Sequence, residues 1–377
     1  MNNRILNNGE VFLDFQDVLI YPTHSDFSSR KNIDLTVDFG NNWKPVPIMS
    51  ANMDTITGVD MAFELLKKNW IPILHKYVSI KDISKLYDDI EKYNMFIDDK
   101  VGDNSHLKID TRNLFISRGA TESDKSKLKE RIEQEPRIKS ICIDVANGYA
   151  NDVLEYVKSI RNDLCKDKIL MVGNIATGPG AEMYANIGVD IIKAGIGQGS
   201  ACLTRVQTGV GVPQIGMNLE IEQSLSLYNR RLEENRENRE LKPFLNKTYF
   251  CSDGGCKVMG DISKAFVSGA DFVMIGGMLS GTKESPGKTE EIDGRMVKRF
   301  SGMAAKESQH GGVPSYGVEE GKTVQIPYKG KVAHIIEDIE GGIRSSATYI
   351  NAQNPSEFKL NGRFIITHIQ ENKVFSK

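Results

Sequence analysis

The chain has 377 residues, a formal net charge of −2 and a sequence pI near 6.4. This balance excludes attraction to nucleic acid or to an anionic membrane as the main mode of recognition. No apolar run reaches the roughly 20 residues that a membrane helix needs, and the polar stretch before Glu10 is unlike a signal peptide. The five cysteines are odd in number and spread out, which favours reduced thiols in a cytoplasm over a disulfide framework.

A unit of apolar strand, polar tip and amphipathic helix recurs along the chain. The predicted strands are Val46–Ala51, Ile71–His75, Asn113–Ser117, Lys139–Asp144, Lys168–Val172, Val189–Ile192, Thr248–Ser252 and Asp271–Ile275. Most of them lack alternating polarity, which is typical of parallel strands buried on both faces. Eight such units predict that residues 1–377 form a single domain, a (β/α)8 TIM barrel.

Two segments interrupt this rhythm. The connection at residues 218–247 is dense in charges of both signs, which favours an exposed, salt-bridged helix extension over a nucleic-acid-binding arm. Residues 279–335, which we call the flap segment, follow the eighth strand and are rich in Gly, Lys and Glu. A loop in this place lies on the catalytic face of a barrel, so we predict a mobile catalytic flap, with a disordered surface insert as the alternative.

The tips of barrel strands meet on one face, and several tips carry reactive or ligand-binding groups. After the sixth strand, three glycines and Ser200 suit a phosphate, and Cys202, Thr204 and Arg205 follow at once. Asp253 suits the hydroxyls of a ribose. Although a lone cysteine is more often a small buried hydrophobe, an anion-binding loop beside an arginine favours a thiolate. These residues predict a nucleotide site with Cys202 as nucleophile and with Thr204 and a flap glutamate as a proton relay.

Other kinds of site are disfavoured. Cys251 and Cys256 form half of a zinc site at most, because no second pair or close histidine completes it. His75 and His310 are candidates for the catalytic face, but no histidine neighbours Cys202 in the sequence and we interpret both as structural. No G-x-G-x-x-G follows an early strand, so a Rossmann fold is disfavoured.

A set of motifs in fixed order resembles a known family. The motifs are Phe15-Gln-Asp-Val-Leu19, Ala51-Asn-Met-Asp-Thr55, Asp144-Val-Ala-Asn-Gly-Tyr149, Gly195-Ile-Gly-Gln-Gly-Ser-Ala-Cys-Leu-Thr-Arg205, Thr208-Gly-Val-Gly211, Ser252-Asp-Gly-Gly-Cys256 and Gly260-Asp-Ile-Ser-Lys-Ala-Phe266. Together they resemble the IMP dehydrogenase and GMP reductase family, from about Phe12 to Phe375. The resemblance is poor near residues 79–112 and 218–247.

Within that family, the details favour the reductases. The stretches Gly269–Gly281, Glu320–Val324 and Gly342–Tyr349 are similar to reductase sequences, and the Arg-Tyr pair of the dehydrogenase flap is absent between residues 300 and 330. The chain also has no room for the regulatory modules that most dehydrogenases insert after the second unit. An IMP dehydrogenase without those modules and a non-catalytic purine-nucleotide-binding protein remain as alternatives.

The resemblance implies a reaction and a set of site residues. Cys202 would attack C2 of GMP, Thr204 paired with Glu320 would handle the proton for ammonia, and NADPH would deliver hydride to give IMP. Implied nucleotide contacts are Ser200, Asp253, Gly254, Gly255, Gly276, Gly277, Gly302, Met303, Ala304 and Gly321. Implied NADPH contacts are Ser29, Arg30, Lys76, Asp144, Val145, Ala146, Tyr316, Ser345 and Ser346. Carbonyls of Gly197, Gly199 and Cys202 would bind a monovalent cation, commonly potassium, and contacts across subunits imply a homotetramer.

Four positions depart from the family pattern. Gln198 replaces a proline and Leu203 a threonine in the cysteine loop, so the stiffness of the loop is expected to differ. In the flap segment, Ser301 stands in place of a tyrosine and Gly317 in place of an arginine. These two changes bear on nucleotide and cofactor contacts of the flap.

Overall fold

The protein is an eight-stranded parallel barrel with helices between the strands. The computed structural model describes residues 11–101, 107–234, 243–306 and 318–367. The barrel closes from strand Ile48–Ser50 (β2) round to strand Phe272–Ile275 (β9), which pairs back onto the first. The predicted TIM-barrel fold is therefore confirmed.

All eight predicted strands are present as barrel strands, and the described residues contain five further strands outside the barrel. The strands are β1 Val18–Ile20, β2 Ile48–Ser50, β3 Ile71–Leu74, β4 Phe115–Arg118, β5 Ser140–Asp144, β6 Ile169–Ile175, β7 Ile191–Ala194, β8 Tyr249–Asp253, β9 Phe272–Ile275, β10 Glu290–Ile292, β11 Arg295–Ser301, β12 Thr323–Pro327 and β13 Phe364–Ile366. The helices are α1 Val59–Leu66, α2 Ile80–Val101, α3 Glu122–Gln134, α4 Asn151–Asp163, α5 Gly178–Ala185, α6 Thr204–Thr208, α7 Gln214–Glu234, α8 Met259–Val267, α9 Val332–Tyr349 and α10 Phe358–Asn361. β7 is displaced from its predicted bounds, because Lys193 and Ala194 belong to the strand and not to the loop after it.

The barrel has two apolar layers, and this follows from the alternation of side chains along each strand. Ile191 of β7 belongs to the cluster inside the barrel, whereas Ile192 belongs to the cluster between the strands and the surrounding helices. At the amino-terminal end, Phe39 stacks on Phe272 with ring centroids 4.1 Å apart, and Trp43 is fully buried beside it. Because apolar side chains fill the interior, the barrel is a packed core and the face at the carboxyl ends carries the polar groups.

Local capping explains where the more polar helices begin. Before α3, the Thr121 side chain accepts from the Asp124 amide, and the Asp124 side chain accepts from the Thr121 amide. This reciprocal capping box satisfies two of the free N–H groups at the helix start. Within α3 only Leu128 is buried, so capping compensates for the small apolar face.

The flap segment contains a small antiparallel sheet in the order β10-β11-β12. The buried Lys298 of β11 donates to the carbonyls of Thr282 (2.9 Å) and Ser285 (2.5 Å), which ties this sheet to the loop after β9. Mobility of the flap stays a prediction. In the charged connection, α7 extends to Glu234, and residues 235–242 lie outside the described residues.

Membrane spans and disulfides are both absent from the described ranges. No helix among them has the length and apolar character to cross a membrane. All five cysteines lie within these ranges and none forms a disulfide.

Candidate active site

The site lies at the carboxyl ends of the barrel strands, around the loop between β7 and α6. We call residues 195–203 the cysteine loop. Two of its glycines are required by close contacts. At Gly195 (φ +156°), an added Cβ would lie 2.0 Å from the carbonyl oxygen of Asp253, and at Gly197 (φ +91°) it would lie 2.5 Å from the Arg205 side chain. The loop therefore passes against β8 and α6 more closely than any side chain would permit.

Cys202, Thr204 and Glu320 form a continuous polar chain. The Sγ of half-buried Cys202 lies 3.2 Å from the Oγ1 of Thr204, and Thr204 Oγ1 donates to Glu320 Oε2 at 2.6 Å. A hydroxyl between a thiol and a carboxylate can pass a proton in either direction. The structure thus brings together the three residues that the sequence predicted as catalytic.

Backbone pairing fixes this polar chain in place. Residues 320–322 run antiparallel to the cysteine loop, since Leu203 N donates to Glu320 O at 2.7 Å and Lys322 N donates to Ala201 O at 3.0 Å. Cys202 and Gly321 are paired residues of this short bridge. The flap segment therefore carries its glutamate to the cysteine loop by main-chain hydrogen bonds and not by side-chain contacts alone.

The other predicted residues of the flap pack into the same place. Gly321 N donates to Ala304 O at 3.2 Å, and Gly302 N donates to Lys322 O at 3.1 Å. An added Cβ at Gly302 would lie 2.9 Å from Ala201 O, so the turn at residues 302–305 touches the cysteine loop. Met303, which lies within this turn, is partly exposed.

Glycines at the ends of β8 and β9 complete a cradle beside Ser200. An added Cβ at Gly277 would lie 2.6 Å from Ser200 Oγ, and one at Gly254 would lie 3.2 Å from Gly199 N. Gly255 adjoins Gly254 with φ +84°, and Gly276 packs against Ala51 and Met53. Glycines that expose backbone N–H groups next to a hydroxyl suit a phosphate. The structure therefore brings the predicted nucleotide contacts together.

A buried lysine, Lys193, lies at the centre of this face, although the sequence reasoning assigned it no role. Its Nζ contacts three oxygens: Asp253 Oδ2 at 2.5 Å, Asn174 Oδ1 at 2.8 Å and Asp144 Oδ1 at 3.0 Å. Burial alone would lower the pKa of Lys193, but the Asp144 and Asp253 carboxylates raise it well above its usual value. The two carboxylates therefore favour the charged form of Lys193.

The charge state of Asp144 follows from the same network. Burial alone would raise the pKa of Asp144, but the ammonium of Lys193 and the amide of Asn52, which donates to Oδ2 at 2.9 Å, outweigh it and lower the pKa. Beneath the network, burial raises the pKa of the Cys142 and Cys251 thiols, which stay neutral. Cys251 is thus part of the barrel core, and the described residues contain no group of three or more His, Cys, Asp or Glu side chains that could hold a metal.

A sequence signal for Lys193 does exist. Ile191 faces the barrel interior, and Lys193 follows it by two residues, as Asp144 follows Cys142 and Asp253 follows Cys251. The period of two places Lys193, Asp144 and Asp253 in one layer above the core. A lysine two residues after an inward-facing side chain, at the end of a strand, therefore indicates a buried charge.

The predicted cofactor contacts divide into two groups. Lys76, Asp144, Val145 and Ala146 follow β3 and β5 on the catalytic face, where the charge of Lys76 contributes to the lowered pKa of Asp144. A lysine and a carboxylate on one face fit the phosphates and ribose hydroxyls of a dinucleotide. Ser29 and Arg30 lie at a 3-10 turn that packs against α9, and Ser345 and Ser346 belong to α9 in the outer helical layer. The single chain thus does not bring these four to the cysteine loop, and Tyr316 lies outside the described residues.

The cysteine loop also offers oxygen ligands. Gly197 has positive φ, and Gly199 O accepts from Cys202 N at 2.9 Å, which curls the loop. The Gln198 side chain is buried: its Nε2 donates to Val212 O, and its Oε1 has no hydrogen-bond donor among the described residues. Carbonyl and amide oxygens in a tight loop fit a hard monovalent cation.

Leu203 and Ser301 also depart from the family pattern, and both lie in well-defined surroundings. Leu203 is partly buried and donates its N–H to Glu320 O, a contact that needs no threonine side chain. Ser301 is buried, and its N–H lies 3.4 Å from Thr55 Oγ1, so the serine is a packing residue of the flap base. Gly317 and His310 lie outside the described residues.

Comparison with known proteins gives a consistent result. The model of the IMP dehydrogenase / GMP reductase domain matches residues 12–373. The chain is 38% identical to the GMP reductase of Photobacterium profundum over 373 residues, 97% of both chains. It is also 37% identical to the GMP reductase of Vibrio parahaemolyticus and 38% identical to that of Aliivibrio fischeri (strain ATCC 700601 / ES114), each over 98% of both chains.

Proposed function

The chain belongs to the IMP dehydrogenase and GMP reductase family, and we propose that it catalyses the NADPH-dependent reductive deamination of GMP to IMP and ammonia. The observation that carries this proposal is the hydrogen bond of 2.6 Å from Thr204 to Glu320, next to the Cys202 thiol. Removal of an amino group needs a proton at the departing nitrogen, and this chain of groups can supply one. Relatives named GMP reductase match over 97% and 98% of the chain, which supports the proposed reaction.

The substrate would lie across the cradle and the cysteine loop. Its phosphate would bind at Ser200 and the backbone of Gly254, Gly255, Gly276 and Gly277. Its ribose hydroxyls would bind Asp253, whose Oδ2 already accepts from Asn174 Nδ2 at 2.8 Å. The turn at residues 302–304 and Gly321 would then meet the base. This orientation directs C2 of the purine toward Cys202.

The proposed chemistry takes two steps at one carbon. The proton of the Cys202 thiol would pass through Thr204 to Glu320 as the sulfur adds to C2 of GMP. The same proton would return through Thr204 to the amino group as the C2–N bond breaks and ammonia leaves. This leaves a thioimidate between Cys202 and the purine. NADPH supplies the hydride that replaces the amino group at C2. The C2–S bond then breaks, and Cys202 is regenerated as IMP is released.

The cofactor would lie along Lys76, Asp144, Val145 and Ala146. Ser29, Arg30, Ser345 and Ser346 lie on the outer layer, so we propose that they complete the cofactor site of a neighbouring copy in a homotetramer, together with Tyr316. A potassium ion would bind the carbonyls of Gly197, Gly199 and Cys202 and hold the loop in its reactive form.

Five cysteines without a disulfide support a cytoplasmic location.

The test is a pair of assays on the purified protein. GMP and NADPH are mixed while the loss of reduced nicotinamide is followed, and IMP and NAD+ are mixed in a parallel sample. GMP-dependent NADPH oxidation supports the proposal. Formation of NADH from IMP would indicate a dehydrogenase without regulatory modules. Tight GMP binding with no reaction in either sample would indicate a non-catalytic purine-nucleotide-binding protein.

A further inference from the structure

We propose that Lys193 is a positioning residue that couples the substrate half and the cofactor half of the site. This inference rests on the proposed function, because it takes Asp253 as a substrate ligand and Asp144 as a cofactor ligand. The lysine contacts both carboxylates, with Nζ 2.5 Å from Asp253 Oδ2 and 3.0 Å from Asp144 Oδ1. One buried ammonium thus holds two side chains that serve two different ligands.

The ammonium has no spare donor. A protonated lysine offers three N–H groups, and Nζ of Lys193 lies within hydrogen-bond distance of three oxygens, the third being Asn174 Oδ1 at 2.8 Å. The Lys193 side chain is only 6% exposed, so water has little room to replace any of these contacts. Movement of one carboxylate therefore strains the hydrogen bond to the other.

Two asparagines also bond to this network, each to one of the two carboxylates. Asn174 Nδ2 donates to Gly195 O at 2.6 Å and to Asp253 Oδ2 at 2.8 Å, which ties the lysine to the start of the cysteine loop. Asn52 donates to Asp144 Oδ2 at 2.9 Å, on the cofactor side of the lysine. Asn52 therefore acts on the cofactor carboxylate, whereas Lys193 acts on both.

The backbone of β6 lies in close contact with Lys193. An added Cβ at Gly173 of β6 would lie 2.2 Å from Lys193 O and 2.6 Å from Lys193 Cβ. Glycine at position 173 is thus needed for the lysine to approach β6, β5 and β8 at once. Such close packing is expected of a residue whose exact position matters.

Removing the lysine is expected to impair two ligands together. In Lys193→Met, two partly buried carboxylates lose their common buried cation. Removing one partner of such a charge pair is expected to cost a factor of about ten or more in affinity. Lys193→Arg keeps the charge but replaces a compact ammonium by a planar fork, so smaller losses of about threefold or more are expected at both sites. Asn52→Ala is expected to weaken the cofactor alone.

The test measures binding by calorimetry, with GMP and NADP+ titrated separately so that no turnover is needed. Lys168→Met is the matched control, because the Lys168 side chain is also buried but directly precedes β6, at the end of the barrel opposite the site. The expected result is that Lys193→Met weakens both ligands by about tenfold or more, Asn52→Ala weakens NADP+ only, and Lys168→Met changes neither by more than about twofold.

Several results would overturn the inference. A folded Lys193→Met protein that loses affinity for one ligand only, or for neither, contradicts coupling. If Lys193→Met does not fold, Lys193→Arg decides, and unchanged affinities for both ligands contradict it. A wild-type protein that binds both ligands but does not reduce GMP refutes the proposed function and leaves the coupling to be judged by these affinities. Wild-type protein that binds neither ligand refutes both.

Discussion

Thr204 Oγ1 donates a hydrogen bond of 2.6 Å to Glu320 Oε2, across 116 residues of sequence. The same hydroxyl lies 3.2 Å from the Sγ of Cys202. The barrel brings the loop after β7 to the flap segment after β9, and the pairing of Cys202 with Gly321 sets the register between them. A slip of this register would remove the carboxylate from Thr204, so main-chain pairing is part of the proposed catalytic arrangement.

Glu320→Gln is expected to reduce kcat by on the order of a hundredfold or more, since a positioned acid or base contributes at least that much. The amide keeps the shape but cannot exchange a proton at neutral pH. Steady-state turnover of GMP is the measurement. Glu319→Gln is the control, because Glu319 accepts from Lys306 N at 2.9 Å and not from Thr204. Equal rates for Glu320→Gln and wild type would remove Glu320 from the relay.

Thr204→Val is expected to lose about as much turnover as Glu320→Gln, because the relay needs the hydroxyl and not the methyl group. Thr204→Ser retains a hydroxyl and is expected to restore most of the rate. The comparison is made on kcat at saturating GMP. If valine and serine behave alike, the residue serves packing and the proposed proton route is wrong.

Cys202→Ala is expected to bind GMP with little change in affinity and to lose essentially all turnover, since no other group within the site can form the bond to C2. Calorimetry measures the first property and NADPH oxidation the second. Cys165→Ala is the control, as Cys165 is buried in the core beyond α4 and is expected to retain turnover. A Cys202→Ala protein with substantial turnover would refute the nucleophile assignment.

Gly277→Ala is expected to raise the KM for GMP by about tenfold, because over-packing by one methyl costs on the order of 1–3 kcal/mol. The added Cβ would lie 2.6 Å from the hydroxyl of Ser200 in the proposed phosphate cradle. Gly341→Ala in α9 is the matched control, since its Cβ would meet no atom within 4 Å. A KM unchanged in Gly277→Ala would place the phosphate elsewhere.

A prediction on stability concerns Glu135, which accepts from Arg137 Nε at 2.7 Å and from Nη2 at 2.6 Å. The hydrogen bonds from Arg137 outweigh burial and lower the pKa of Glu135, while Asp88 and Glu91 of α2 also contact Arg137. A lowered folded-state pKa means that the contribution is complete above the unfolded pKa and is lost as the pH falls through the folded pKa.

Glu135→Gln is therefore expected to reduce the free energy of unfolding by about 1–2 kcal/mol at pH 7, a value discounted for the partial exposure of Arg137. The deficit relative to wild type should shrink as the pH falls below about 4.5. Urea unfolding of both proteins across this pH range is the measurement. A deficit that stays constant with pH would exclude ionisation of Glu135 as its source.

The sequence predicted the barrel well because eight apolar strands at regular spacing produce a strong and redundant signal. It also predicted Cys202, Thr204 and Glu320, through the motifs around them and through the resemblance they carry. The burial of Lys193 is not predicted, because a charged residue after an apolar run is typical of the start of a loop. Its burial depends on Asp144 and Asp253, which come from other strands, and such compensation between distant residues is not visible in a local pattern.

The positions of the proposed cofactor contacts show a second limit of prediction from the sequence. Lys76 and Asp144 follow strands and therefore had to lie on the catalytic face, as the barrel rule requires. Ser29 and Ser345 occur in segments with no such rule, and the structure places them in the outer helical layer. Under the proposed function their role depends on the packing of whole subunits, a property that no pattern within one chain specifies.

The central claim is that hydride replaces the amino group at C2 of GMP on this protein. It is tested most directly with NADPH that carries deuterium at both C4 positions, excess GMP and mass analysis of the purine and ammonia formed. The proposed reaction requires one IMP and one ammonia for each NADPH consumed, with deuterium at C2 of the IMP. NADPH oxidation without IMP, or IMP that contains no deuterium, would contradict it.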